Sequence, residues 1–556
     1  MAEEPDVIGY DTPTDEKYRV YASISFAFLL LGIGVPLWWY TTSVPRVPLP
    51  YSGIEGLSDL EMKIKTKILI AVVDKRRAET LTEEIRKNFE KAELFNLEVV
   101  YEVISNNLVP AGTTMNDLKW ISETFDIEKG ELLLLEVRSM EKRVLVGSRR
   151  SIYFSSEANS THLCEVLSQW ILQDKSLALT KNALTKPTEY SLDTENRRRF
   201  PPSPAYDILL TVVNPDPEKL NIEWNLQNIA EEYIEPFVNE LSLVGNFSVK
   251  SQWLYLVQLG VIPKEVPDSS PLGRHYALTE NVLPLVITPL EKKLASQVSL
   301  HPCINLVMYM VPCEEAPLYI YTRKGQRSMM GSNAEAFLSP RWGGVVIANP
   351  LSTACEGKEG NKIVSVNPDE SSIMGVFHVQ LRLLLGLQDL HPISGVTVTP
   401  PPNLKPRDWE LDGLLRIRSV EQLTSAKLTL QSLAQLLGEI SNIVITDTVG
   451  DRIKRALDCV TRSADLLKKG RLEEGFLLSK EAFVAAEKAF SDSSLLALLY
   501  FPEDQKYAVY IPLFLPVLIP VLLSLRNIRR YYFKPSRSEN LEAQGEEEEA
   551  TKLKTE

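Results

Sequence analysis

"YIPLFLPVLIPVLLSLRNIRR", Tyr510 to Arg530, sets Pro512, Pro516 and Pro520 four residues apart in an otherwise apolar run. In a helix interior in water, each proline costs about 3 kcal/mol. The run lies in an uncharged segment of 19 residues, Tyr507 to Leu525, close to the roughly 20 a bilayer core requires. A second segment, "VYASISFAFLLLGIGVPLWWYTTSVP", places 26 uncharged residues between Arg19 and Arg46. Trp38, Trp39 and Tyr40 fall together near its end, as in an interfacial aromatic belt. These features predict two membrane spans, 20–40 and 507–526. The competing readings are buried core helices or, for the first run, a cleaved signal peptide. Its length exceeds the apolar stretch usual in a signal peptide, which favours an uncleaved anchor.

Cations near the spans orient the chain. Arg526, Arg529, Arg530, Lys534 and Arg537 follow the second run, whereas Lys506 alone precedes it, beside Glu503 and Asp504. The C-terminus is expected in the cytosol, and two spans return the N-terminus (1–19) to the same side. Residues 41–506 are then luminal. Asn159-Ser160-Thr161 and Asn246-Phe247-Ser248 are N-glycosylation acceptors in that region. The cytosolic 527–556 ends in an acidic tail with four successive Glu at 546–549. With a formal net charge of -13, the chain lacks the basic balance of a nucleic-acid binder.

On a helix the three prolines drift by about 40° per step and share one face. The carbonyls of Ala508, Pro512 and Pro516 lose their donors, and lipid supplies none. Another protein's helix or a hydrated seam along the proline face would satisfy them. The alternative is a bent helix that adjusts locally without a partner.

The luminal stretch reads as α/β, a mixed sheet with packed helices, followed by a helical region. "KTKILIAVVD" (65–74), "NLEVVYEVI" (96–104) and "GELLLLEV" (130–137) read as strands, with a helix over 78–95. The pattern restarts with strands at 207–217, 304–311 and 343–349 and helices at 222–242 and 374–387. The expected parts are 62–190, 207–390 and a helical 408–500. Pro-rich 185–206 and 391–407 read as breaks between them. No internal repeat is apparent. Val420, Leu423, Leu430, Leu433, Leu437 and Ile440 form an apolar stripe, read first as core and second as a partner groove. A helical hairpin is predicted to turn at Gly470. "SPRWGG" (339–344) reads as a turn into a closely packed strand, with an Arg341–Trp342 interface contact as the alternative.

Catalytic signatures are mostly absent: no Gly-rich phosphate loop, no nucleophile elbow and no zincin pair. His162, His275, His301, His378 and His391 are all the histidines, and His301, Cys303 and Cys313 come nearest to a ligand cluster. Cys164 with any histidine is the candidate dyad. The cysteines are five (Cys164, Cys303, Cys313, Cys355 and Cys459), so at least one is unpaired within the chain. Cys303 and Cys313 bracket a strand, which sets them about 30 Å apart and forbids a bond.

Several stretches resemble the phosphatidylinositol-glycan class S family: 495–526, "GVPLWWYTT" (34–42), "LPYSGIEGL" (49–57), "YIEPFVNEL" (233–241), "GNFSV" (245–249), "SPRWGG" and "LTLQSLAQLLGEISNIVI" (428–445). They are collinear across the chain. The resemblance implies an accessory subunit of the GPI-anchor transamidase of the endoplasmic reticulum, with no cofactor of its own. It implies partners of classes K, T and U and the anchor-attachment protein, and a catalytic Cys and His on another, caspase-like chain. The family's glycosylated sequon maps to Asn246. Two other classes compete: a glycolipid-processing enzyme with a hidden acid pair, and a membrane-anchored adaptor that binds cargo on 408–500.

Overall fold

A computed structural model of the chain describes residues 13–42, 46–105, 108–109, 114–138, 140, 142–327, 334–351, 355, 363–387, 390–440, 443–495 and 503–532. They fall into a larger unit, drawn from 50–434 and 451–490, and a smaller one from 1–49, 435–450 and 491–556.

The larger unit contains two α/β modules. In the first, the sheet runs Val396–Val398, Val144–Val146, Ser151–Ser155, Leu132–Val137, Ile64–Val72, Phe95–Val103. Leu132–Val137 and Ser151–Ser155 are buried along their whole length, as expected of strands with both faces covered. The second sheet runs Ala334–Ser339, Gly343–Ala348, Cys303–Met310, Ala205–Asn214, Asn246–Tyr255. Apart from the Val144–Val146/Ser151–Ser155 and Ala334–Ser339/Gly343–Ala348 hairpins, neighbouring strands pair in parallel.

The two modules have one topology. In each, the first strand lies between the second and the third, and an antiparallel hairpin lies beyond the third; in the first module Val396–Val398 adds one strand outside that hairpin. Their helices correspond as well. Lys75–Phe89 and the helical stretch Leu226–Glu240 link strands one and two. Met115–Glu123 and Leu283–Glu291 precede strand three, and Ser160–Leu172 and Glu370–Leu385 follow the hairpin. A structural repeat is therefore present where the sequence displays none. Packing fixes which positions are apolar, and many apolar residues satisfy it. The second module also carries a small sheet of Lys264–Val266, His275–Thr279 and Leu318–Tyr321.

Both Pro-rich breaks are integrated into this body. In 185–206, read as linker or surface loop, Thr194–Arg198 is helical and Asn196, Arg199 and Phe200 are buried. Within 391–407, Val396–Val398 pairs with Val144–Val146 of the first sheet. "SPRWGG" forms the hairpin turn: Arg341 has φ 56°, and a side chain at Gly343 would stand 2.0 Å from the Asn305 carbonyl oxygen.

The 32-residue helix Asp408–Glu439 contacts both modules. Its apolar stripe is core as expected, with Val420, Leu423, Leu430, Leu433 and Leu437 each 2% exposed or less. The sequence reading did not foresee that its polar face is buried too. Arg416 donates to the carbonyls of Gly130 (2.9 Å) and Ile171 (3.3 Å) in the first module. Arg418, two residues on, donates to Phe200 (2.9 Å) and Leu385 (3.1 Å) at the second. Asp412 accepts a two-pronged contact from Arg150 at 2.6 and 3.0 Å. Glu410 pairs with Arg382 and Arg407 at 2.7 and 2.6 Å. Glu421 lies between Arg199 and Arg418. Burial pushes its carboxyl up, but attraction from the two guanidiniums outweighs this and holds it below the usual carboxylate range. The helices Asp447–Lys469 and Leu472–Phe490 form the expected hairpin, with Gly470 at φ 89°.

In the smaller unit, Arg46 donates to the carbonyls of Leu437 and Ile440 (3.2 Å for Ile440) at the end of the long helix, where a cation suits the dipole.

Arg416→Leu or Arg418→Leu leaves two buried carbonyls without their donors, and Arg418→Leu also takes one partner from Glu421, at a cost of about 2–5 kcal/mol each. Either variant should lower the unfolding midpoint of the purified protein by about 2–6 °C. Asp465→Ala, at an exposed i,i+4 pair, should shift it by less than about 2 °C.

Candidate functional site

The proline run is helical throughout, within Glu503–Tyr532. Its halves, Ala508–Pro516 and Leu518–Arg526, meet at a 48° bend. Three prolines in successive turns account for it: each removes an N–H and crowds the carbonyl four residues back. Among the described residues, Lys17–Tyr40 is the one helix long and apolar enough by itself to cross a membrane; the bent pair qualifies if counted as a single span.

The two apolar helices of the smaller unit pack antiparallel. The Trp38 ring meets Tyr510 and Phe514 edge-on, with centroids 5.8 and 5.2 Å apart. Val20 and Ala27 are buried on one helix, and Val521 and Ser524 on the other. Ser524 donates to the Val521 carbonyl (2.9 Å), so its hydroxyl needs no partner on the first helix.

Pro512, Pro516 and Pro520 are all exposed. At about 100° per residue, Pro512 points opposite to Val521. Pro516 lies about 140° and Pro520 about 100° from Val521, so Pro512 and Pro516 point away from the face that meets the first helix and Pro520 flanks it. Ala508, whose carbonyl Pro512 deprives of its donor, is exposed as well. The prolines supply no N–H to the carbonyls of Ala508, Pro512 and Pro516, which recur every four residues.

The two sequons occupy different settings. Asn246 is exposed at the start of edge strand Asn246–Tyr255. Asn159 caps Ser160–Val166, its side-chain oxygen accepting from the His162 amide (3.2 Å).

Cys313 is bonded to Cys355, which sequence reasoning did not pair. Cys164, Cys303 and Cys459 are free thiols. Burial pushes each up to about 11, which keeps them protonated and weakly nucleophilic near neutral pH. His162 is engaged with Asn159 and Arg143, and His275 with the Gly273 carbonyl and the Tyr321 hydroxyl. His378 packs edge-on against Phe237, and burial lowers it to about 4, which makes it a neutral core residue. His391 faces Glu195 at 3.2 Å. His301 donates its backbone amide to the Ser299 hydroxyl. No group of three or more metal-ligating side chains is found among the described residues.

Residues 25–535 match the family model described as phosphatidylinositol-glycan biosynthesis class S protein. The chain belongs to that family. It is 35% identical to the rat "GPI-anchor transamidase component PIGS" over 537 residues, 91% of this chain and 94% of the relative. It is 34% identical to the human protein of the same name over 558 residues, covering 93% and 97%. The budding-yeast "GPI transamidase component GPI17" is 22% identical over 557 residues, covering 98% and 97%.

For this class S chain, Asn246 should carry a glycan when the protein is made in animal cells. Treatment with an N-glycosidase should increase gel mobility, and Asn246→Gln should reproduce one step of that increase. An unchanged mobility on digestion of the wild-type chain would contradict both the luminal placement and the use of this sequon.

Proposed function

We propose that this chain is a non-catalytic subunit of the GPI-anchor transamidase, held in the endoplasmic-reticulum membrane by two spans, with both termini cytosolic and the α/β body luminal. The observation that carries the reading is the match to transamidase components over more than nine-tenths of both chains. Antiparallel packing of the two apolar helices supports a double pass, since a chain that crosses and returns must pack that way. The high thiol pKa values favour an accessory role. The catalytic Cys and His then belong to the caspase-like subunit, and this chain joins it with the class T and U subunits and the anchor-attachment protein.

The proline face is the docking surface within the membrane. A bare carbonyl in hydrocarbon costs several kcal/mol, so three in a row favour a state in which a neighbour's donors or a hydrated seam meets them. The bend shapes the helix for that neighbour.

Replacing Pro512, Pro516 and Pro520 together with Leu restores a continuous helix that inserts at least as well. The variant should reach normal levels and keep its glycan, yet recover fewer transamidase subunits on affinity purification in mild detergent. Less GPI-anchored protein should then reach the cell surface. Full recovery of the other subunits would mean that the prolines only bend the helix and dock nothing.

A further inference from the structure

The helix that carries the three prolines does not stop where its apolar run stops. It continues past Leu525 through Arg526 to Tyr532. The uncharged run Tyr507 to Leu525 is 19 residues long. Along a helix that is about 28 Å, close to the roughly 30 Å of a bilayer's hydrocarbon core. Arg526 therefore enters the headgroup layer, which is about 5–8 Å deep on each side. Arg529 and Arg530 stand about 5 and 6 Å farther along the axis, still within that layer.

All three arginines lie on one side of the helix. At about 100° per residue they fall about 140°, 80° and 180° from Val521, which is buried against the first helix. They face outward from the helix pair. Arg526 and Arg529 are exposed, and neither pairs with an acid among the described residues. Antiparallel packing brings the start of the first helix, Pro13–Ala27, to the same side of the bilayer. It adds Lys17 and Arg19 against Asp15 and Glu16, so five cations stand against two acids at this end of the pair. The luminal end of the second span is different, with Lys506 beside Glu503 and Asp504.

We infer that Arg526, Arg529 and Arg530 form a docking surface for anionic phospholipid headgroups of the cytosolic leaflet. The inference rests on the two-span reading above. A guanidinium binds phosphate oxygens two at a time and is more weakly hydrated than an ammonium, which suits it to the phosphate layer. Phosphatidylcholine sets a choline cation beside its phosphate. Phosphatidylserine carries a net negative charge, and the attraction of juxtamembrane cations to such lipids grows with each cation. Orienting a span requires only the number of cations near its end. A shared outward face at phosphate depth is what a headgroup contact requires in addition. Held there, Arg526 fixes how deep the second span sits, and with it the depth of Pro520, six residues into the core.

The test uses the full chain in its assembled complex, reconstituted into vesicles of phosphatidylcholine with a minority of phosphatidylserine. In paired samples, one lipid or the other carries a diazirine on its acyl chain close to the glycerol. After illumination, adducts are mapped by mass spectrometry and scaled to the amount of labelled lipid. On 526–532, phosphatidylserine adducts should exceed phosphatidylcholine adducts by about fivefold or more, a preference near 1 kcal/mol. On 507–510, at the luminal end of the same helix, the ratio should stay near one. In about 1 M salt, where the Debye length falls to about 3 Å, the excess on the wild-type chain should shrink. Arg526→Gln with Arg529→Gln and Arg530→Gln should bring the ratio on 526–532 close to one while phosphatidylcholine adducts persist. Equal labelling of the wild-type chain by the two lipids would overturn the inference. So would an excess that the triple-Gln variant retains, which would assign the lipid to another subunit's cations. An excess that appears only after 538–556 is removed would also overturn it, by giving the arginines to the acidic tail. Absence of adducts from both lipids along 507–525 would remove the span itself, and the glycan on Asn246 in the same sample reports the luminal placement separately.

Discussion

Two adjacent guanidiniums on one buried helix organise the larger unit. Arg416 and Arg418 lie about 200° apart around the helix axis. One reaches the carbonyls of Gly130 and Ile171, and the other those of Phe200 and Leu385. Each fills backbone positions that otherwise have no donor in a dry interior, where an unmet polar group costs about 1–3 kcal/mol. The acids on the same helix, Glu410, Asp412 and Glu421, take arginines from both modules. A buried pair of this kind contributes little net stability against a hydrophobic replacement. Its value is geometric, because it admits one arrangement of each module on the helix.

That constraint accounts for much of the remaining architecture. The carbonyls of Ile171 and Leu385 lie near the ends of the helices that follow the hairpin in each module, so the central helix holds two like modules by like parts. The buried connector around Arg199 and Phe200 is drawn in because Arg199 must reach Glu421 and Phe200 must accept from Arg418. The strand Val396–Val398 returns to the first sheet just before the chain enters the helix, where Trp409 donates to the Gly147 carbonyl (2.9 Å). A body built this way suits a subunit that presents fixed surfaces.

The long strands were legible in the sequence because uninterrupted apolar runs such as Ile68–Val72 and Leu132–Leu135 suit only a sheet covered on both faces. Gly470 announced its turn through the positive φ that glycine tolerates. Three-residue strands such as Val144–Val146 carry too few residues to show a period, and the duplication is encoded in packing rather than in residue identity. The buried ion pairs were hidden for another reason. Charges on a helix ordinarily mark a solvated face, and nothing local to "DGLLRIRSVEQL" tells a reader that arginines from distant segments await its acids. The proline face was legible because proline chemistry is the same in any setting. Its exposure, and the aromatic contacts of Trp38 on the opposite side, required the fold.

Native-state hydrogen exchange followed by mass spectrometry on the purified protein addresses the central helix most directly. If the helix locks both modules together, amides of Leu132–Val137, Leu209–Val213 and Leu414–Val420 should open in one cooperative event, with a shared free energy and denaturant dependence. Separate openings of the two sheets, with the helix exchanging before either, would contradict the account.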